Sequence, residues 1–225
     1  MKFIDIPTEQ TTAVTDAVLA TIALVSVIYL LRFSKKNPWK IRLWVCLFSL
    51  LALASILGTI VHGIKISSML QTLLWHPLYL LLGLLVGIYV VAVVNDIWGQ
   101  SASRRILPKM LIAGAGFWCI TLIWRDSFLV FTVYEAAGMF FALGGYLGLT
   151  YRGHFKGAMV MAAGTLVTIF AAGIPAIDSF SFTCIWSFDH NGIYHMAQMF
   201  GIVLLVTGLR KSLPSHSDNT PDFNV

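Results

Sequence analysis

The sequence predicts an all-α integral membrane protein: a single bundle of seven transmembrane helices, N-terminus outside and C-terminus cytoplasmic. Three observations predict it. Of 225 residues, 58% are hydrophobic and 11% charged, and the mean hydropathy is +0.82; a soluble domain averages roughly 25% charged residues. Seven apolar stretches are long enough to cross a hydrocarbon layer of roughly 30 Å. The basic residues also gather in alternate loops, as the positive-inside rule demands.

The spans are expected at about 13–32, 43–64, 73–95, 107–124, 128–150, 157–174 and 191–209. The polar opening MKFIDIPTEQTT lacks the pattern of a cleavable signal peptide, so the first apolar stretch is read as a retained helix. Pro38 and the Lys and Arg around it separate the first two spans. A basic loop with Arg104, Arg105 and Lys109 separates the third from the fourth. Only the turn Trp124-Arg125-Asp126-Ser127 divides the fourth from the fifth. The outer loop from Pro175 to Asp189 leads into the last span. One transmembrane domain therefore occupies 1–211, followed by a disordered polar cytoplasmic tail at 212–225.

Orientation follows from Arg32, Lys35, Lys36, Lys40, Arg42, Arg104, Arg105, Lys109, Arg152, Lys156, Arg210 and Lys211 on one side. Only Lys2, Lys65 and Arg125 fall on the other. The net charge of +5 is then explained by loops beside an anionic leaflet, with no nucleic-acid partner implied. Short loops and the absence of any Asn-x-Ser/Thr sequence point to a bacterial inner membrane. Cys46, Cys119 and Cys184 form no CxxC pair, and the first two read as buried apolar residues. Gly83 with Gly87, Gly144 with Gly148, and Gly114 with Gly116 mark close helix contacts.

Ionisable residues within hydrocarbon cost roughly 2.5–3.5 kcal/mol on insertion scales, so a cluster at one depth points to use. The topology brings His62, His76, His190 and His195 to the outer face, with Asp16, Glu135 and Asp189. Imidazoles from separate helices beside a carboxylate suit a catalytic zinc with one open position. His190 and His195 lie about 140° apart round an ideal helix, so His190 can join such a site only from a cap position. Each residue also has a structural reading. His62 suits a hydrogen bond to a backbone carbonyl, His76 between Trp75 and Pro77 suits interfacial anchoring, and Asp16 suits a helix cap. Asp96 suits an ion pair with Arg104 or Arg105, and Trp75, Trp98, Trp124 and Trp186 suit an interfacial belt.

Seven helices with the N-terminus outside, a histidine near the end of the second and histidines opening the seventh resemble the CREST superfamily of membrane hydrolases. That superfamily includes alkaline ceramidases, adiponectin-type receptors and Per1-like proteins. The resemblance implies a zinc held by a helix-two histidine and an HxxxH pair in helix seven, with a serine one turn before the first histidine. His62 matches the first ligand and His195 the last. The remaining ligand position is Asn191 with His190 beside it, and the serine position is Gly58 with Ser55 and Thr59 close by.

The leading functional expectation is a zinc-dependent membrane hydrolase that acts on a lipid amide or ester from the outer face. His62, His195 and His190 are its candidate metal ligands, and Asp16 and Glu135 its candidate catalytic carboxylates. The alternatives are a non-enzymatic receptor or accessory subunit partnered by other membrane subunits, and a haem-binding subunit with His62 and His195 as axial ligands.

Overall fold

In lipid, every backbone polar group must find its partner within the protein, and long apolar stretches with few internal breakers meet that demand as helices. The structure, a computed structural model, describes residues 2–124, 127–153, 155–174 and 181–213. The expected tail at 214–225, the turn at 125–126 and residues 175–180 of the outer loop lie outside the described residues. Among the described residues six helices follow in chain order: α1 (Pro7–Leu31), α2 (Pro38–Gly63), α3 (Ser68–Ile123), α4 (Ser127–Arg152), α5 (Ala158–Gly173) and α6 (His190–Lys211). A short antiparallel hairpin of β1 (Phe182–Thr183) and β2 (Ser187–Phe188) precedes α6. Five of the helices are long and apolar enough to cross a membrane, while α5 is apolar but has only 16 residues.

The helices form a closed ring. Each packs on the next in chain order, and α6 returns to α1. Apolar side chains such as Ile112, Phe170 and Phe200, 69–72% exposed, face outward from it. In water so much apolar surface would drive association, whereas a bilayer covers it. The three cysteines are also exposed, which corrects the expectation that Cys46 and Cys119 are buried.

The 56 residues of α3 are interrupted by one non-helical position, Gly99, with φ +83°. There the chain folds back, because glycine alone adopts that backbone without strain. A Cβ at Gly83 would stand 2.8 Å from the Gly114 carbonyl oxygen, and one at Gly87 would stand 2.9 Å from that of Met110. The basic loop expected between 95 and 107 is therefore helix on either side of Gly99. Gly83→Val is expected to destabilise the chain by about 1–3 kcal/mol or more through overpacking. Thermal unfolding in detergent checks this, and an unchanged midpoint would disprove the close approach.

The glycine expectation is half corrected. Gly116, Gly144 and Gly148 have no neighbour within 4 Å of a built Cβ. In α4 the contacts come instead from Gly138 against Val86 and Gly145 against Val93 and Ile97. These two glycines lie seven residues apart, on one face two turns apart, whereas Gly144 and Gly148 share a different face.

At the end of the ring opposite the histidines lies a buried ion pair, Lys40 Nζ to Asp96 Oδ1 at 2.8 Å. Lys40 Nζ also donates to Ser212 Oγ at 2.8 Å and sits over the Phe155 ring, while Tyr146 OH donates to Asp96 Oδ2 at 3.2 Å. The partner of Asp96 is thus Lys40 rather than Arg104 or Arg105. Arg104 stacks on Trp39 instead. The difference arises because α2 begins at Pro38, five residues before the expected span, and its first turns bury Lys40.

Candidate functional site

The helix α1 starts at Pro7, where proline fits the first turn because its missing N–H has no helical partner. Glu9, Thr12 and Asp16 thereby fall on one face, three and four residues apart. The segment before the helix is tied to the end of α2. Ile4 N donates to Gly63 O at 3.1 Å, Lys65 N donates to Lys2 O at 2.9 Å, and Lys65 pairs with Asp5. This tie sets Glu9 against His62: its Oε2 accepts from His62 Nδ1 at 2.6 Å, a short charge-assisted bond.

A cavity of about 520 Å³ opens inside the ring. Its polar part gathers Asp16, Ser55, His62, Glu135, His190, Asn191, Tyr194, His195 and Gln198. Its apolar part is walled by Leu19, Leu47, Phe48, Leu51, Leu85 and Leu205. Among the lining residues also stands Tyr89, whose hydroxyl pairs with Thr165 at 2.5 Å. Trp75 lies in the wall edge-on to His62, with ring centroids 5.9 Å apart. It therefore forms part of the cavity wall. Among the described residues no lysine or arginine lines the space.

Asp16 is 4% exposed and rests over Gly58, where a Cβ would stand 2.8 Å from its carboxyl carbon. Glycine at position 58 therefore admits the carboxylate, which any side chain there would meet. Ser55, one turn earlier, hydrogen-bonds that carboxylate. On the other side His195 Nε2 lies 3.4 Å from Asp16 Oδ1.

A Thr15 hydroxyl that donates to Thr12 O at 2.9 Å accepts at the 3.1 Å contact with His195 Nδ1, and in that tautomer Nδ1 carries the ring proton. The Nε2 lone pair then faces the Asp16 carboxylate. Two acceptors at 3.4 Å need a shared proton or a cation. Asp189, the N-cap of α6, accepts from Gly192 N at 2.9 Å and from Thr12 Oγ1 at 2.8 Å, which locks α6 to α1 beside this pair.

Of the residues expected at the site, Asp16, His62, His190, His195 and Glu135 all line the one cavity, whereas His76 does not. They do not all touch. His190 opens the regular helix instead of capping it, five residues from His195. Glu135 makes no hydrogen bond to the histidines among the described residues. Among those residues no three of His, Cys, Asp or Glu stand close enough together to hold one metal ion. As placed, His62, His190 and His195 therefore do not fit a three-ligand zinc centre. Glu9, Thr12, Thr15 and Tyr194 were not among the expected site residues. The i, i+3, i+7 spacing of Glu9, Thr12 and Asp16 was the available signal, hidden by starting the helix at residue 13.

The chain matches the model of a family of unknown function, DUF6962, over residues 11–214. No curated protein and no solved structure matches it.

Proposed function

The chain belongs to the DUF6962 family, and we propose that it is a membrane hydrolase that takes a lipid ester or amide into the ring. The reading places seven spans across the bilayer, with the α3 fold-back at Gly99 supplying the extra one, and the histidine end of the cavity outside. The asymmetry of the basic residues supports that orientation, and a bacterial inner membrane is the membrane proposed.

One observation carries the reading. The His195–Asp16 pair, built to share a proton, sits in the polar part of a cavity whose remaining wall is apolar. A volume of 520 Å³ lies inside the roughly 300–1,000 Å³ range of small-molecule pockets, which suits one acyl chain with its head group. In this reading the chain of the substrate lies along Leu47, Leu51, Leu85 and Leu205, and its carbonyl lies near His195. The His195–Asp16 pair takes a proton from an attacking water and returns it to the leaving alcohol or amine. Thr15 and Ser55 hold the two partners in register, and the Glu9–His62 bond supplies a second proton-handling group at the mouth.

The expected zinc remains a proposal on the His195–Asp16 pair alone, since a cation between two facing acceptors answers the same need as a proton. Elemental analysis of the untagged, detergent-purified chain separates these, because about one zinc per chain requires the cation. The accessory-subunit reading is favoured by the protein partners that His62 and His195 already have, Glu9 and Thr15. The deciding test is release of fluorophore from a long-chain ester or amide by the chain in lipid nanodiscs. Release that disappears in His195→Gln supports the hydrolase. No release, or release unaffected by the substitution, overturns it in favour of the accessory role.

A further inference from the structure

We infer that the cavity contains a second recognition point, the Glu135 carboxylate, which receives the protonated amine of a long-chain amphiphile. This rests on the lipid reading above and names its ligand class. Glu135 lies about 12 Å into α4, is 4% exposed and lines the cavity. Among the described residues no hydrogen bond or ion pair reaches its carboxylate. Asp16 is engaged with Ser55 and His195, Glu9 with His62, and Gln198 with Thr168. One turn away on either side, Phe131 and Met139 also face the cavity and offer no polar contact.

A buried carboxyl without a partner stands either as the neutral acid or against a partner that a ligand brings, and the cavity beside Glu135 gives such a ligand access. The charge of that partner follows from the lining. Among the described residues Asp16 and Glu135 face the space and no lysine or arginine does, so the field within it favours a cation. A bare metal ion is a poor candidate at Glu135, since hard cations seek about six oxygen ligands and the neighbouring turns supply none. An ammonium group needs only the carboxylate and gains further from aromatic faces such as Phe131. The apolar wall then takes the attached chain.

The experiment uses the full chain in nanodiscs of neutral lipid, with tetradecylamine and tetradecan-1-ol as probes and the shift in thermal midpoint with concentration as the readout. The amine is expected to bind at least about tenfold more tightly than the alcohol. In Glu135→Gln, which keeps the size of the side chain and removes its charge, the two are expected to bind alike. The variant also cancels any general effect of a cationic amphiphile on the membrane. Equal binding of both probes by the wild type, or an amine preference that survives Glu135→Gln, overturns the inference and leaves the lipid cavity standing. Failure of both probes to bind overturns the cavity reading itself. Should Glu135→Gln not fold, the amine-to-alcohol ratio of the wild type decides alone.

Discussion

Asp16→Asn is expected to slow hydrolysis of a long-chain ester or amide by about 10²–10⁴-fold, the range that a positioned general acid–base group contributes. The substitution keeps the shape of the side chain, and the amide oxygen still accepts from Ser55. Its nitrogen, however, donates to His195 Nε2, so the pair no longer takes up a proton. Unfolding should be little affected, since the contact over Gly58 is unchanged. Combining Asp16→Asn with His195→Gln is expected to cost scarcely more than either alone, because residues acting as one unit are not additive. Gly58→Ala provides an independent check. Its new methyl group displaces the Asp16 carboxylate from Ser55 and His195 without altering a titratable group, so activity should fall while the chain stays folded. Rates and thermal midpoints measured on the same preparations test all three. Wild-type turnover in Asp16→Asn would place the chemistry elsewhere.

Lys40→Ala is expected to destabilise the chain by about 3–5 kcal/mol, the cost of leaving a buried charge without its partner. Lys40 is 4% exposed, and the Asp96 side chain has no exposed surface. Removing the ammonium also strips a donor from Ser212 Oγ at the end of α6 and leaves Tyr146 as the remaining strong donor to the carboxylate. The double substitution Lys40→Met with Asp96→Leu should recover most of the loss, since apolar residues of similar volume often replace a buried pair at no cost. Denaturant unfolding in detergent reads both. If the single and double variants are equally unstable, the loss lies in packing rather than in the orphaned charge. The pair joins the start of α2 to α3 ahead of its fold-back at Gly99, so its rupture loosens the ring at the end opposite the site.

Much of the site was legible because burying charge in hydrocarbon is expensive, and Asp16, His62, His195 and Glu135 stand out in apolar stretches for that reason. Their common depth follows from helix order and rise alone. Glu9 and Thr12 escaped because they belong to a polar segment, and hydropathy does not register a helix that continues beyond the apolar stretch. The ion pair of Asp96 was anticipated but assigned to its neighbours in sequence. The true partner, Lys40, comes from another helix, and sequence distance carries no information about that contact. The glycines of α4 were misassigned in the same way. Spacing identifies which residues share a face, but not which face meets a neighbour.

Local sequence is enough to show that the chain is helical and apolar, where most helices run, and which ionisable groups stand in costly places. These properties depend on local propensity and on transfer from water, and both are written residue by residue. How the groups are joined is a matter of packing between helices. That packing set Glu9 on His62, gave the Nδ1 proton of His195 to Thr15, turned Nε2 toward Asp16, and left Glu135 facing the cavity without a partner. Each of those outcomes depends on the rotation of one helix against another, set by close contacts such as Asp16 over Gly58 and Gly83 against Gly114. Helix rotation is a property of pairs of surfaces, and no single stretch of sequence specifies it.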